Sequence, residues 1–330
     1  MPKSVVNGSS NLQFRSIHIN IYNMVIEVYS ASKYPSSIVH ILSAETQSEK
    51  LPPLFVWIPG NPGLLEYYEE LLELIHKKHP EWEILGISHA GMSSGNPLLE
   101  GNDHTIYSLE DQIDHKIDVI NSFSSKERPL IIMGHSVGCF MAQRVILSKH
   151  LVGEVKHMGL LMPTVIDIHL SKKGIFMTRV LDWVKYFPYY LGWVSQMIFY
   201  TILPLSVVKF IISKAMTLMI DSKAVHATQV LLRNSKFIQQ ALGLAKYEML
   251  VIRDDWEFQR QLANFCNEKG VKSWVLFANN DHWVSNHTRS KLIEFYKDNC
   301  NNEDLKIYLT DKVPHAFVVK SSQHVVDEYF

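Results

Sequence analysis

The run Leu130-Ile131-Ile132-Met133 leads directly into Gly134-His135-Ser136-Val137-Gly138, and helix-forming residues follow from Cys139 to Ser148. Apolar strand, G-x-S-x-G turn and helix in that order restrict the fold sharply. The two glycines let backbone segments pass close on either side of a strained turn, which lifts the serine hydroxyl above a sheet as a nucleophile. The competing reading is a glycine-rich turn with an ordinary surface serine.

Further short apolar runs at Leu54–Ile58, Ile84–Ser88, Met158–Met162, Trp274–Ala278 and Lys306–Leu309 have the character of fully buried strands, each bordered by Gly, Pro, Asn or Asp. Alternation over residues 14–29, with Met24–Tyr29 and Ser37–Leu42, predicts an antiparallel start to the sheet. Between the first runs lie two helical patterns. One carries Leu65, Tyr68, Leu71, Leu72 and Ile75; the other carries Leu109, Ile113, Ile117 and Ile120 and starts at Ser108. Strands alternating with helices predict an α/β fold with a mostly parallel central sheet and helices on both faces. The alternation stops after Met162 and resumes near Lys272. We therefore expect a core made of residues 1–162 and 270–330, interrupted by an inserted apolar helical cap over 163–269.

A serine hydroxyl is a poor nucleophile at neutral pH and needs a histidine base, itself oriented by a carboxylate. The strand ending at Ala278 runs into Asn279-Asn280-Asp281-His282-Trp283, and the strand ending at Leu309 runs toward Pro314-His315-Ala316. Functional groups in open α/β sheets gather beyond the carboxyl ends of strands. Chain order and loop position therefore nominate Ser136, Asp281 and His315 as nucleophile, acid and base. Asp167 is the alternative acid, and His282, His287 and His324 are the alternative bases; Asp254 and Asp255 read as solvated or helix-starting residues.

An oxyanion intermediate would draw on the N–H of Val137, directly after the serine, and on one N–H from Pro59-Gly60-Asn61-Pro62-Gly63. Pro62 has none, so Asn61 is the expected donor; an ordinary Pro/Gly turn is the alternative. His89-Ala90-Gly91-Met92-Ser93 would line the same pocket or form a plain turn. H-E-x-x-H, C-x-x-C, phosphate-binding and dinucleotide motifs are missing from the 330 residues, so neither a metal nor a cofactor is expected. A formal net charge of −1 offers no basic field for nucleic acid. The three separated cysteines suit a reducing compartment, and the polar stretch Met1 to Gln13 lacks a signal-peptide core, so the chain is expected to start in the cytosol.

Residues 186–208 contain no Asp, Glu, Lys, Arg or His but do contain Phe187, Tyr189, Tyr190, Trp193, Phe199 and Tyr200. Lys172, Lys173, Arg179 and Lys185 precede this stretch, and Lys209, Lys214 and Lys223 follow it. A straight span needs about 20 apolar residues to cross roughly 30 Å of hydrocarbon. Pro188 and Pro204 leave a piece only about 22 Å long as helix. Aromatics with flanking lysines favour a segment that enters an apolar layer and returns to the same side, with Tyr189, Trp193, Phe199 and Tyr200 as docking residues. A buried cap lining an acyl pocket is the competing reading.

The combination of Trp57-Ile58-Pro59-Gly60-Asn61-Pro62-Gly63, Tyr67-Tyr68, Ser88-His89-Ala90-Gly91-Met92-Ser93, Gly134-His135-Ser136-Val137-Gly138, Met162-Pro163-Thr164-Val165, Leu170-Ser171, Asn280-Asp281-His282-Trp283 and Val313-Pro314-His315-Ala316-Phe317 resembles the lipid droplet-associated hydrolase family, from about residue 50 onward. The resemblance implies an α/β-hydrolase fold with Ser136, Asp281 and His315 as the triad. It also implies weak activity on lipid esters, cholesteryl esters included, and residence on the lipid droplet surface and the cytosolic face of the endoplasmic reticulum membrane. Neutral lipid and a phospholipid monolayer are then the expected partners, with a lipid ester as substrate. A monolayer over oil has no water beyond it, which excludes a spanning helix but allows a re-entrant one. The alternative function is a droplet-surface protein with a vestigial site that organises droplets without chemistry.

Overall fold

The computed structural model describes residues 25–44, 51–94, 105–183 and 186–330. Among them, eight strands form one sheet: β1 (Ile26–Tyr29), β2 (Ser36–Ile41), β3 (Leu54–Ile58), β4 (Glu83–Ile87), β5 (Pro129–His135), β6 (Glu154–Leu161), β7 (Lys272–Ala278) and β8 (Leu305–Thr310). Their spatial order is β1-β2-β4-β3-β5-β6-β7-β8. β2 runs antiparallel to both β1 and β4, and the strands from β4 through β3 to β8 are mutually parallel. The antiparallel start predicted from alternation is thus present over the described part; residues 14–24 of that prediction lie outside the described residues.

The helices are α1 (Glu69–Lys78), α2 (Leu109–Phe123), α3 (Val137–Ile146), α4 (Lys172–Trp183), α5 (Phe187–Gln196), α6 (Leu205–Met216), α7 (Lys223–Leu232), α8 (Ser235–Val251), α9 (Trp256–Lys269), α10 (Asn286–Asn299) and α11 (Ser322–Tyr329). Parallel strands cannot be joined by hairpins, so helices carry the chain back across the sheet and cover both faces. The side-chain period of two shows even in strands that are apolar throughout. In β3, Leu54, Val56 and Ile58 join one core with α2, α3, α9 and α10, while Phe55 and Trp57 join the opposite core with α1 and α11. Ser108 starts α2 as expected, its hydroxyl accepting from Asp111 N–H while the Asp111 carboxylate accepts from Ser108 N–H. The first helical pattern begins differently: Leu65–Tyr67 form a single 3₁₀ turn, and the α-helix starts at Glu69.

Among the described residues, six α-helices, α4 to α9, stand between β6 and β7. The last of them belongs with the sheet. Leu262 and Cys266 of α9 are buried in the main core, and Gln259 exchanges a 2.8 Å hydrogen bond with Gln143 of α3. α5 packs along α8, and the Ser195 hydroxyl of α5 donates to the Leu232 carbonyl at the end of α7, at 2.7 Å.

The two prolines of the uncharged stretch mark helix starts rather than breaks. Pro188 occupies the first turn of α5, where its missing N–H costs no bond, and Pro204 precedes α6. Between them Met197–Ile202 continue as a π-helical turn. No helix among the described residues is long and apolar enough to cross a membrane. Trp193 is 60% exposed and Tyr200 57%, with Tyr190, Ile202 and Phe210 also exposed and Tyr189 at the border of exposure. Phe199 lies elsewhere: it is half-buried against Val208, Ile212 and Val225, so it packs the helices together instead of facing outward. Exposed apolar side chains continue outside 186–208, among them Trp183 at 92% exposure and Met219 at 82%.

Candidate active site

Several loops leave the carboxyl ends of parallel strands on one edge of the sheet. The loop after β3 carries Gly60 and Asn61, the turn after β5 carries Ser136, the loop after β7 carries Asp281, and the loop after β8 carries His315. The β5–α3 turn is as tight as its glycines require. A Cβ on Gly134 would sit 2.5 Å from the Gly138 carbonyl group, and one on Gly138 would sit 2.2 Å from the Ile58 carbonyl oxygen. Ser136 itself adopts φ 55°, ψ −123°, a conformation an L-residue holds at a cost of about 1–3 kcal/mol. Its N–H donates to the Leu161 carbonyl of β6 at 2.9 Å, and its own carbonyl accepts from Cys139 N–H at 3.0 Å.

The side chains of these loops meet in line. Ser136 Oγ lies 2.9 Å from His315 Nε2, and His315 Nδ1 lies 2.7 Å from Asp281 Oδ2. Burial alone would raise the Asp281 carboxyl. The hydrogen bond and charge of His315 and the N–H groups of Trp283 and Val284 outweigh it and hold the group below its ordinary value. An ionised Asp281 accepts only, so His315 Nδ1 carries the proton and Nε2 is left to accept from the Ser136 hydroxyl.

A second hydrogen-bonded line runs beneath the first. His135 Nε2 is 2.8 Å from the His315 carbonyl, His135 Nδ1 is 2.8 Å from Tyr68 Oη, and Tyr68 Oη accepts from Gly60 N–H at 2.8 Å. Burial first, and then the neighbouring His315, push the His135 imidazole down to about 3, so it is neutral. A carbonyl can only accept, so Nε2 of His135 donates and Nδ1 accepts from the Tyr68 hydroxyl. Gly60 N–H is thereby occupied. The Asn61 side chain is occupied as well, with Nδ2 donating to the Ala241 carbonyl and to Glu248 Oε1, both at 2.8 Å. The N–H groups of Asn61 and Val137 have no acceptor among the described residues, the latter because it opens α3 ahead of the helical ladder.

The alternative residues lie elsewhere. Asp167 faces His169 at 3.8 Å, and Asp255 caps α9 and pairs with Arg144. His282 and His287 are exposed, and His324 sits beside Tyr329 in the C-terminal helix. His89 is buried against Gly63 of the Asn61 loop, and neither ring nitrogen has a hydrogen-bond partner among the described residues. Sequence reasoning passed over the roles of His135, Tyr68 and Glu248. Glu248 had left a signal, since it falls on the apolar stripe Phe237, Ala241, Leu244, Ala245 of α8 and is itself buried.

The strand order, the elbow and the loops at the strand ends define an α/β-hydrolase fold. Solved structures agree. A thioesterase domain from the curacin biosynthetic pathway superposes with TM-score 0.59 at 11% identity, covering 92% of this chain and 98% of that one. A mutant haloalkane dehalogenase DatA from Agrobacterium tumefaciens superposes with TM-score 0.63 at 11% identity, covering 92% and 94%. Within that fold, the model of the lipid-droplet associated hydrolase family matches residues 51–318, and the chain belongs to this family. Relatives of that name include a Mus musculus protein, 29% identical over 303 residues, and a Homo sapiens protein, 25% identical over 302 residues. Each alignment covers 85% of this chain and 85% of the relative. The family and fold expected from the sequence motifs are therefore both found.

Proposed function

We propose that the protein is a serine ester hydrolase acting on lipid at the surface of lipid droplets. The observation that carries the reading is the Ser136–His315–Asp281 line, with 2.9 and 2.7 Å between successive partners. Ser136 Oγ attacks the ester carbonyl carbon as its proton passes to His315 Nε2. Asp281 stabilises the imidazolium, and the N–H groups of Asn61 and Val137 hold the oxyanion. The intermediate collapses by expelling the alcohol, which takes the proton from His315. Water, deprotonated by His315, then releases the acid and regenerates Ser136. The relatives' names point to lipid droplets, and the exposed Trp183, Tyr190, Trp193 and Tyr200 supply an aromatic surface able to enter a monolayer. Sterol esters, cholesteryl esters among them, are the substrate class we assign, and the cytosolic face of the endoplasmic reticulum is the second location.

The test is hydrolysis of a cholesteryl ester emulsion by wild type and Ser136→Ala. Release of fatty acid by wild type alone supports the reading; equal release by both refutes it. The same apolar surface favours a second reading, a droplet-organising protein that needs no chemistry. In that case Ser136→Ala leaves droplet number and size in cells unchanged, while deletion of residues 186–208 alters them.

A further inference from the structure

From Pro59 to Pro62 the loop after β3 is held by every polar hydrogen it offers except one. Gly60 N–H is taken by Tyr68, both Nδ2 hydrogens of Asn61 are taken from α8, and Pro59 and Pro62 have no N–H to give. Asn61 N–H remains. The grip on the Asn61 side chain comes from the insertion and not from the sheet domain, through the Ala241 carbonyl and the Glu248 carboxyl of α8.

Glu248 is an unusual occupant of its position. Neighbours on the same helix face are Leu244, Ala245 and Met249, all buried, and Glu248 is equally buried. Burial pushes its carboxyl up to about 7, opposed by the hydrogen bond from Asn61, and no cation among the described residues offsets it. A buried carboxyl without a cation is costly, and an aliphatic side chain would pack this stripe at no such cost. What the carboxyl provides is an acceptor 2.8 Å from Asn61 Nδ2.

We infer that Glu248 is a positioning residue for the oxyanion hole: together with the Ala241 carbonyl it fixes the Asn61 side chain and thereby aims the Asn61 N–H at the reacting carbonyl. This inference rests on the reading of Ser136 as nucleophile and Asn61 as donor. It also ties that donor to α8, the helix on which the aromatic α5 packs. An oxyanion donor acts on the transition state more than on the bound ester, so its misplacement lowers kcat and spares KM.

The experiment uses the full chain and a soluble ester, 4-nitrophenyl butyrate. Glu248→Ala is expected to lower kcat at least about tenfold with KM changed by less than about twofold, short of the 10²–10³ lost when a donor is removed outright. Glu248→Gln keeps the acceptor oxygen and is expected to recover most of that loss. Wild-type kcat in Glu248→Ala overturns the inference, as does a Gln variant as impaired as Ala. If Glu248→Ala does not fold, Asn61→Ala carries the test from the loop side, because it keeps the backbone N–H and removes only the grip; an unchanged kcat there is equally fatal. Ser136-dependent turnover in wild type separates the two levels. Its absence refutes the hydrolase reading and this inference together, whereas its presence with unaffected variants refutes the inference alone.

Discussion

His135 Nε2–H donates to the main-chain carbonyl of His315 across 2.8 Å, so the residue ahead of the candidate nucleophile braces the loop of the candidate base. Through Tyr68 the same imidazole reaches Gly60 N–H in the loop after β3. Three loops that must agree in position to within a fraction of an ångström are thus tied to one buried ring.

That ring makes the fold sensitive to acid. The His135 value of about 3 lies below the ordinary 6.5, so the unfolded chain takes up a proton that the folded chain refuses. Its share of stability is complete above pH 6.5 and is lost as pH falls toward 3, up to about 4–5 kcal/mol. Gln can donate and accept in the same direction without titrating. Urea unfolding of His135→Gln at pH 7 and pH 4 should show a smaller acid loss than wild type. An identical loss in both would show that His135 does not carry the effect.

Glu248 has the opposite pH dependence. Its value of about 7 stands above the ordinary 4.5, so the folded state resists ionisation. Stability from this group is intact below pH 4.5 and declines as pH rises through 7, by about 3 kcal/mol in all. Glu248→Gln should therefore gain on wild type between pH 5 and pH 8.5 in the same unfolding assay. A difference independent of pH would contradict the assignment.

Gly138→Ala places a methyl group 2.2 Å from the Ile58 carbonyl oxygen, which lies in the β3 backbone and cannot turn away. The first turn of α3 must then shift away from β3 and take the Ser136 turn with it. We expect a loss of at least about 2 kcal/mol in stability, and no labelling of Ser136 by an active-site probe in whatever fraction folds. Normal melting and labelling would mean that the turn is looser than described.

The aromatic surface separates two variants that sequence alone treats alike. Trp193→Asp puts a charge on an exposed face and should shift the protein from the droplet fraction to the cytosolic fraction of a cell lysate while leaving its melting temperature within a few degrees. Phe199→Asp puts the charge among Val208, Ile212 and Val225 and should lower the melting temperature instead, by an amount matching several kcal/mol. Droplet retention by Trp193→Asp would remove that residue from the docking surface.

Much of this arrangement was legible in the chain because it depends on local rules. Short apolar runs ending in Gly, Asn or Pro mark buried parallel strands, and the G-x-S-x-G pattern marks the turn whose glycines cannot carry a Cβ. Chain order together with loop position nominates Asp281 and His315, and both side chains lie in line with Ser136. The fate of Phe199 was not legible in this way, because in an uncharged stretch the inward and outward faces of a helix have the same composition. The Tyr68–His135 line and the Asn61–Glu248 contact were hidden for another reason. Each joins residues 67 and 187 positions apart, and only tertiary packing brings such pairs together.

The central claim is that Ser136 is a nucleophile activated by His315, and covalent labelling tests it most directly. Incubation of the intact protein with a fluorophosphonate, followed by peptide mass spectrometry, should find one adduct, on Ser136. It should vanish in Ser136→Ala and slow by orders of magnitude in His315→Ala. Folded wild-type protein that stays unlabelled while a known serine hydrolase in the same tube is labelled to completion would contradict the account.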